Sequence, residues 1–153
     1  MADISTFLWF KEKAEEAARL YVSLLPNSRI DTITRLPGDM ASVCVIQFTL
    51  EGRAFTAMES ARGAEPFNNA VSIAVLCDSQ AEIDRLWAAL TDGGSEIACG
   101  WLKDRYGLAW QITPRILMQM MQHKDRVKAE RALNAMNQMV KLDIAALERA
   151  FNG

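Results

Sequence analysis

Two stretches of 16 residues, KAEEAARLYVSLLPNS at 13–28 and SQAEIDRLWAALTDGG at 79–94, decide the fold predicted for this chain. Aligned at an offset of 66 residues, they share four identities. In both, apolar residues recur at the spacing of an amphipathic helix with one buried face. Each ends in a stop signal, Pro26-Asn27 in the first and Gly93-Gly94 in the second. The two stretches therefore predict the same helix in two copies of one unit.

Runs with the composition of β-strands surround both helices in the same order. One run precedes each helix and shorter runs follow it, so each half reads as a βαβββ module, with the second copy trimmed. The spacing of Ser79 and Glu82 is that of a capping box at the start of the second helix. The predicted strands are Ile4–Phe10, Arg29–Leu36, Met40–Leu50 and Arg53–Glu59 in the first module, and Val71–Cys77, Glu96–Leu102 and Leu108–Thr113 in the second.

The chain changes character after Pro114. Residues 115–153 are predicted to be helical, with a methionine-rich apolar stripe at 129–140 and a last helix capped by Asp143. We therefore expect paired modules at 1–114, divided into 1–60 and 70–114. The helices of 115–153 are expected to pack on this body or on the partner in a dimer.

Composition excludes several classes of function. The chain has 153 residues, of which 50% are hydrophobic and 24% charged, and a net charge of −2, which is too small to attract nucleic acid. Its one histidine, His123, and three scattered cysteines exclude the common zinc sites within one chain. No apolar run is long enough to cross a membrane, and the start lacks a secretory signal. We expect a cytoplasmic protein with reduced cysteines and neither a membrane nor a nucleic acid as partner.

Several local motifs resemble one known family. They are TFLWF at 6–10, YVSLLPNS at 21–28, VLCD at 75–78, CGWLKD at 99–104 and WQI at 110–112. Together with the duplicated module they resemble the vicinal oxygen chelate superfamily of glyoxalases, dioxygenases and bleomycin-resistance proteins. Within it they are similar to the PhnB-like branch labelled 3-demethylubiquinone-9 3-methyltransferase. The resemblance implies an α+β fold in which the two modules form a curved mixed sheet around a cavity, in a homodimer.

The resemblance also implies where the metal ligands of the superfamily would lie. Carried over to this chain, those positions hold Thr6, Glu59, Ser72 and Gln111. Two hydroxyls, one amide and one carboxylate hold a divalent transition metal poorly, since such metals prefer imidazole and several carboxylates. No glycine-rich loop follows the first strand to bind S-adenosylmethionine, which the label would require. We therefore expect no cofactor and no bound divalent metal.

Three functions remain open at this point. The first is a metal-independent pocket that binds an unidentified small organic molecule. The second is an enzyme of the superfamily, a lyase, isomerase or the labelled methyltransferase, with Glu59 as general base. The third is an oligomeric interaction protein with a vestigial pocket. The residues expected to line the pocket are Thr6, Phe10, Phe55, Phe67, Asn69, Ser72, Trp101 and Gln111.

Overall fold

A computed structural model describes all 153 residues. They divide into two compact units, Met1–Pro66 and Phe67–Gly153. Each unit holds one mixed sheet of four strands, so the fold is α+β, with five α-helices in total. The repeated order of strand, helix and three strands is confirmed in both units. None of the helices is long and apolar enough to span a membrane.

The first unit packs one helix, α1, on a sheet whose strands follow the order β1-β4-β3-β2. Strand β1 is parallel to β4, and the other neighbours are antiparallel. The third predicted strand starts four residues later than expected, because Gly38–Met40 forms a short 3-10 turn. The elements are β1 Thr6–Phe10, α1 Ala14–Leu24, β2 Arg29–Arg35, β3 Cys44–Leu50 and β4 Arg53–Glu59.

The second unit repeats this arrangement with shorter strands and adds three helices. Its sheet has the order β5-β8-β7-β6, with β5 parallel to β8. The run predicted near Glu96–Leu102 is divided in two, because Cys99 and Gly100 adopt positive φ angles of 56° and 83° and turn the chain between the strands. The elements are β5 Ser72–Cys77, α2 Gln80–Thr91, β6 Ser95–Glu96, β7 Trp101–Lys103, β8 Ala109–Pro114, α3 Arg115–Met121, α4 Arg126–Asn137 and α5 Ile144–Asn152.

The helix starts follow the predicted capping. Ser79 Oγ accepts a hydrogen bond from the backbone N–H of Glu82 at 3.2 Å. The Glu82 carboxylate in turn accepts one from the N–H of Asp78, which completes a capping box shifted by one residue. Asp143 caps α5 by accepting from the N–H of Ala146 at 2.8 Å. Both predictions of helix starts are therefore confirmed.

A buried carboxylate fixes the turn between β7 and β8. Asp104 is 3% exposed, and its side chain accepts hydrogen bonds from the backbone N–H groups of Tyr106 and Leu108. It also accepts one from the indole N–H of Trp110 at 2.9 Å. A buried charge needs such partners, because water no longer solvates it. The three bonds give this carboxylate a structural role.

The three C-terminal helices form a small core within the second unit. The buried residues of this core are Leu117, Met120, Ala132 and Leu147 on the helices and Leu142 in the connection between α4 and α5. Gln80, at the start of α2, donates to the carbonyl of Leu142 and accepts from the N–H of Ile144. The backbone N–H groups of Cys99 and Gly100 donate to the carbonyls of Met139 and Val140. The helices are thus joined to their own module by backbone and side-chain bonds.

Candidate functional site

Ser72 and Gln111 lie on adjacent strands of the second unit and contact each other. The side-chain N–H of Gln111 on β8 donates to Ser72 Oγ on β5 at 2.8 Å. Both side chains are half-buried. They lie on the face of the sheet opposite α2, since α2 packs against the side that carries Trp110 and Ile112. We call the side of a sheet turned away from its own module's helix the open face.

Trp101 shares this open face. It pairs in register with Gln111 across β7 and β8, and Gln111 pairs in turn with Ala74 on β5. Residues paired in this way point to the same side of a sheet. The second unit therefore presents the Trp101 indole and the Gln111 amide in one row with Ala74, on the same face as the hydroxyl of Ser72, which lies two residues before Ala74 on β5. Their role in a pocket stays a prediction. Leu76, which is 40% exposed, lies farther along the same face.

The first unit places its predicted site residues on the other side. Thr6 pairs in register with Phe55, and Phe10 with Glu59, so all four point to the same side of the sheet as Leu8. This side packs against α1, and Phe10 and Phe55 are buried in the core there. The placement of Thr6, Phe10, Phe55 and Glu59 on the helix-covered side disagrees with the expectation that they face a pocket.

Glu59 has a structural partner at this position. Its carboxylate accepts a hydrogen bond from the backbone N–H of Ala14 at 2.9 Å. The N-cap residue of α1, Lys13, has a positive φ of 64° and makes no side-chain capping bond. A carboxylate beside a free N–H group at a helix start is favourable, both as a hydrogen-bond acceptor and toward the helix dipole. Glu59 thus supplies from β4 the acceptor that the N-cap lacks.

The connection between the first strand and the helix is one residue longer in the first module than in the second. This difference explains why the predicted site residues of the two modules point to opposite sides of their sheets. Three residues, 11–13, join β1 to α1, whereas only two, Asp78 and Ser79, join β5 to α2. The offset of 66 that aligns the helices therefore becomes 67 in the strands, where Phe10 corresponds to Cys77. A shift of one residue along a strand moves every side chain to the opposite face. Thr6 is consequently not the structural counterpart of Ser72.

The counterpart of Ser72 is Ser5, which the sequence reasoning missed. Ser5 Oγ lies 3.0 Å from Thr56 Oγ1 on β4, just as Ser72 contacts Gln111 on β8. Gln111 lies two positions beyond Ala109, the partner of Ser72, and Thr56 lies one position beyond Phe55, the partner of Thr6, which follows Ser5. The lengths of the strand-to-helix connections are the signal that could have revealed this equivalence.

Phe67 and Asn69 lie outside the strands. Both belong to the irregular segment that precedes β5, where Phe67 is half-buried and Asn69 is exposed. The neighbouring Asn68 accepts from the N–H of Ala70 at 2.8 Å and so shapes a local turn. Any role of Phe67 and Asn69 in a pocket stays a prediction.

The residues at the four implied ligand positions do not fit a transition metal. Glu59 is bonded at the start of α1, and the neutral side chains of Ser72 and Gln111 are bonded to each other. No group of three or more His, Cys, Asp or Glu side chains lies close enough together to hold a metal ion. S-adenosylmethionine fits no better, since β1 continues into Lys11, Glu12 and Lys13 rather than a glycine-rich loop.

Two cavities lie among the C-terminal helices and contain none of the predicted pocket residues. One of about 370 Å³ lies beside α4 and is lined by Met121, Arg126, Ala129, Glu130 and Leu133. Another of about 300 Å³ lies between α3 and α5, where His123 meets Phe151 edge to face. The Nδ1 atom of His123 accepts from the N–H of Asp125 at 3.1 Å, which places this histidine in the α3–α4 turn.

The family model described as 3-demethylubiquinone-9 3-methyltransferase matches residues 2–113. The chain belongs to this family. A PhnB protein from Bacillus cereus, described with the same activity, is 35% identical, with a TM-score of 0.67. The match covers 74% of this chain and 99% of that protein. The residues matched by the family model end before α3, so the three C-terminal helices lie beyond them.

More distant solved structures share the fold alone. The fosfomycin resistance protein FosX from Mesorhizobium loti is 12% identical with a TM-score of 0.57, over 80% of this chain and 98% of that one. Glyoxalase I from Leishmania major is 8% identical with a TM-score of 0.55, over 85% and 97% of the two chains. No curated protein matches the chain significantly.

Proposed function

We propose that this protein binds a small organic molecule that carries a ring and hydroxyl or carbonyl groups, without a metal ion. The binding surface is the open face of the second unit. The observation that supports it best is the hydrogen bond of 2.8 Å between Gln111 and Ser72, in register with Trp101. An apolar wall beside a few convergent polar groups is the usual composition of a small-molecule site.

The polar groups of this face have hydrogen-bonding capacity to spare. A glutamine amide carries two N–H donors and a carbonyl acceptor, and Gln111 uses one N–H on Ser72. The second N–H, the carbonyl and the serine hydroxyl can therefore reach a ligand. A hydroxylated ring fits this set, because its hydroxyl groups both donate and accept while the ring packs on the indole.

Metal independence follows from the chemistry of the donors. Neutral hydroxyl and amide groups lack the charge and the imidazole nitrogen that divalent transition metals prefer. The carboxylate implied by the superfamily pattern, Glu59, is directed to the start of α1. The same contact weighs against the alternative of an enzyme that uses Glu59 as a general base, because that carboxylate already accepts a hydrogen bond from the Ala14 N–H at the start of α1.

A titration with resorcinol tests the proposal, since this probe has an aromatic ring and two hydroxyl groups that do not chelate metals. Its binding is followed by the shifts of the Gln111 side-chain amide in NMR spectra of ¹⁵N-labelled protein. We expect saturable shifts with a dissociation constant on the order of 1 mM, the range for so small a molecule. Trp101→Leu and Ser72→Ala should each weaken binding roughly two- to tenfold.

Ser95→Ala is the matched control for the serine variant. Ser95 is exposed on β6, so its loss should leave the affinity for resorcinol unchanged. Equal effects of Ser95→Ala and Ser72→Ala, or the absence of any saturable shift at Gln111, would overturn the proposal.

A further inference from the structure

The cavity of about 300 Å³ between α3 and α5 lies beyond the residues that the family model matches. Its lining residues recur at helical spacing, at 116, 119, 120 and 123 on and just after α3 and at 148, 151 and 152 on α5. Residues three and four apart share one face of a helix, so two helix faces meet across this cavity. We propose that the α3–α5 cavity binds a small organic monoamine, a compound with one ammonium group on an apolar or aromatic body. None of Ser72, Trp101 and Gln111 lines it, so the proposal is independent of the function proposed above.

The inner wall of the α3–α5 cavity is apolar and already packed. Met120 is 4% exposed, and Ile116 and Phe151 are half-buried against the core of the C-terminal helices. His123 meets the Phe151 ring edge to face at a centroid distance of 5.1 Å, and Lys128 Nζ lies 5.6 Å from the centroid of the same ring. A wall that is held in place loses little conformational freedom when a ligand covers it. The cavity therefore offers a preformed surface for the apolar part of a ligand.

Three polar side chains at the same cavity have no partner within the chain. The carboxylate of Glu148 forms no ion pair or hydrogen bond, and the side-chain amides of Gln119 and Asn152 form no hydrogen bond. All three residues are exposed, so they lie at the mouth of the cavity rather than in its wall. A few polar groups around an apolar recess are the usual composition of a small-molecule site.

Glu148 gives the lining a single negative charge. His123 lines the cavity as a neutral ring, because its Nδ1 atom accepts a hydrogen bond from the N–H of Asp125 at 3.1 Å. The carboxylate of Asp125 accepts from the N–H groups of Val127 and Lys128 at the start of α4, so it is directed to that helix. A ligand with one positive charge therefore finds one free carboxylate, which favours an ammonium group.

The basic residues around the cavity limit the ligand to one positive charge. Arg126 donates to the backbone carbonyls of Met121 and His123, and Lys128 packs over Phe151. Neither residue lines the cavity. A second positive charge on the ligand would approach Lys128 and find no second free carboxylate. This balance is why the proposal names a monoamine rather than a diamine or a polyamine.

A neighbouring cavity indicates which way the ligand lies. This cavity of about 230 Å³ shares Ile116, Gln119 and Glu148 with the α3–α5 cavity. Its lining also includes the ion pair of Arg115 with Asp78 at 2.7 Å, which makes it a poor surface for an apolar group. An ammonium group at Glu148 would therefore direct its apolar body the other way, toward the Phe151 ring.

A titration with 2-phenylethylamine tests the proposal, because this probe is an ammonium ion near neutral pH and carries no hydroxyl group. His123 is the one histidine of the chain, so the ¹H–¹³C signal of its imidazole is unique in the NMR spectrum and reports on the cavity. At about pH 7.5 and low salt we expect a saturable shift with a dissociation constant on the order of 1 mM. The neutral isostere 2-phenylethanol should bind roughly two- to fivefold more weakly, the range for one exposed ion pair. The anion 3-phenylpropanoate should bind no more tightly than the alcohol.

Glu148→Gln keeps the shape of the side chain and removes its charge. It should weaken the binding of 2-phenylethylamine roughly two- to fivefold and leave that of 2-phenylethanol unchanged. A loss of folding would weaken both probes, so the difference between them isolates the charge. Glu130→Gln is the matched control, since it removes the same charge from an exposed position on α4 outside the lining of this cavity.

The proposal is overturned if the His123 signal does not shift, or if the alcohol or 3-phenylpropanoate binds as tightly as the amine. It is also overturned if Glu130→Gln weakens the binding of 2-phenylethylamine as much as Glu148→Gln does. Resorcinol binding at Gln111 reports separately on the open face of the second unit. Its loss alone would contradict the function proposed there and leave the α3–α5 cavity intact.

Discussion

The carboxylate of Glu59 accepts a hydrogen bond from the backbone N–H of Ala14 at 2.9 Å, so that β4 supplies the acceptor at the start of α1. This contact crosses 45 residues of sequence and ties the last strand of the first module to its helix. It also gives a structural role to Glu59, which is the one carboxylate among the four positions where the family resemblance implies metal ligands. A residue that the superfamily pattern assigns to a metal has a structural partner in this chain.

Replacing Glu59 should therefore change stability. Glu59→Ala is expected to lower the free energy of unfolding by about 1–2 kcal/mol, the usual cost of losing a helix-capping acceptor. Glu59→Gln keeps an acceptor oxygen and loses only the favourable charge at the helix start, which costs about 0.3–1 kcal/mol. Urea unfolding measures both values, with the exposed Glu65→Ala as control. Equal stability of Glu59→Ala and the native protein would contradict the capping role.

The cysteines should differ in reactivity. Burial raises the pKa of the Cys77 thiol to about 11, and burial likewise raises that of Cys44. At pH 8 only roughly one Cys77 in a thousand is then a thiolate, the form that reacts with alkylating agents. Cys99 is half-buried and should be modified first by iodoacetamide. Mass spectrometry of the digested protein measures the order, and urea should abolish the difference. Equal labelling of Cys77 and Cys99 in the folded protein would refute it.

The ion pair between Lys141 and Asp84 should make stability depend on pH. Its hydrogen bond of 2.6 Å, with a further one from Gln80, lowers the pKa of Asp84 below its ordinary value. A carboxyl group whose pKa is lower in the folded state stabilises the protein at neutral pH. That stabilisation is lost as the pH falls through the pKa of the folded state.

Lys141→Met should accordingly be less stable than the native protein at pH 7, with the difference shrinking as the pH falls below about 4. Urea unfolding across this range measures the difference. Lys124→Met, on an exposed turn residue, is the control and should show no such trend. A difference that stays constant down to pH 2 would show that the pair does not act through the charge of Asp84.

Gly100 should tolerate no side chain. Its φ is +83°, and an added Cβ would lie 2.8 Å from the carbonyl oxygen of Ile112 and 2.9 Å from Leu142 Cδ1. Gly38 has a similar φ of +62° but open space around it, so Gly38→Ala isolates the backbone cost of about 1 kcal/mol. Gly100→Ala should cost at least about 1 kcal/mol more in the free energy of unfolding, since overpacking adds about 1–3 kcal/mol. Equal losses in the two variants would mean that the neighbours of Gly100 move aside freely.

Much of the local structure could be predicted from short-range patterns. The helical spacing around Tyr21 and Trp87, the capping box at Ser79 and the cap at Asp143 each depend on residues within a few positions of one another. Such signals do not require knowledge of the tertiary structure. The positions of Ser72 and Gln111 came from the family resemblance, and the face that they share with Trp101 comes from the register of β7 with β8, which short-range patterns do not give.

The side of the sheet to which each residue of β1 points could not be predicted from such short-range patterns. The alignment of the two helices gave an offset of 66, and applying it to the strands matched Thr6 with Ser72. One additional residue between β1 and α1, with Lys13 at a positive φ, reverses the side to which each residue of β1 points. The residue types alone do not reveal this insertion, because Thr6, Phe7 and Leu8 are all common in β-strands. The pairing of Ser5 with Thr56 and the contact of Glu59 with α1 both follow from it.

The central claim is that Ser72, Gln111 and Trp101 bind an organic ring directly, without a metal ion. The most direct measurement is the shift of the Gln111 side-chain amide during titration with resorcinol, made once in excess EDTA and once with diamagnetic Zn²⁺ in place of EDTA. The proposal predicts the same saturable shift in both titrations. A shift that appears only when Zn²⁺ is present would contradict it.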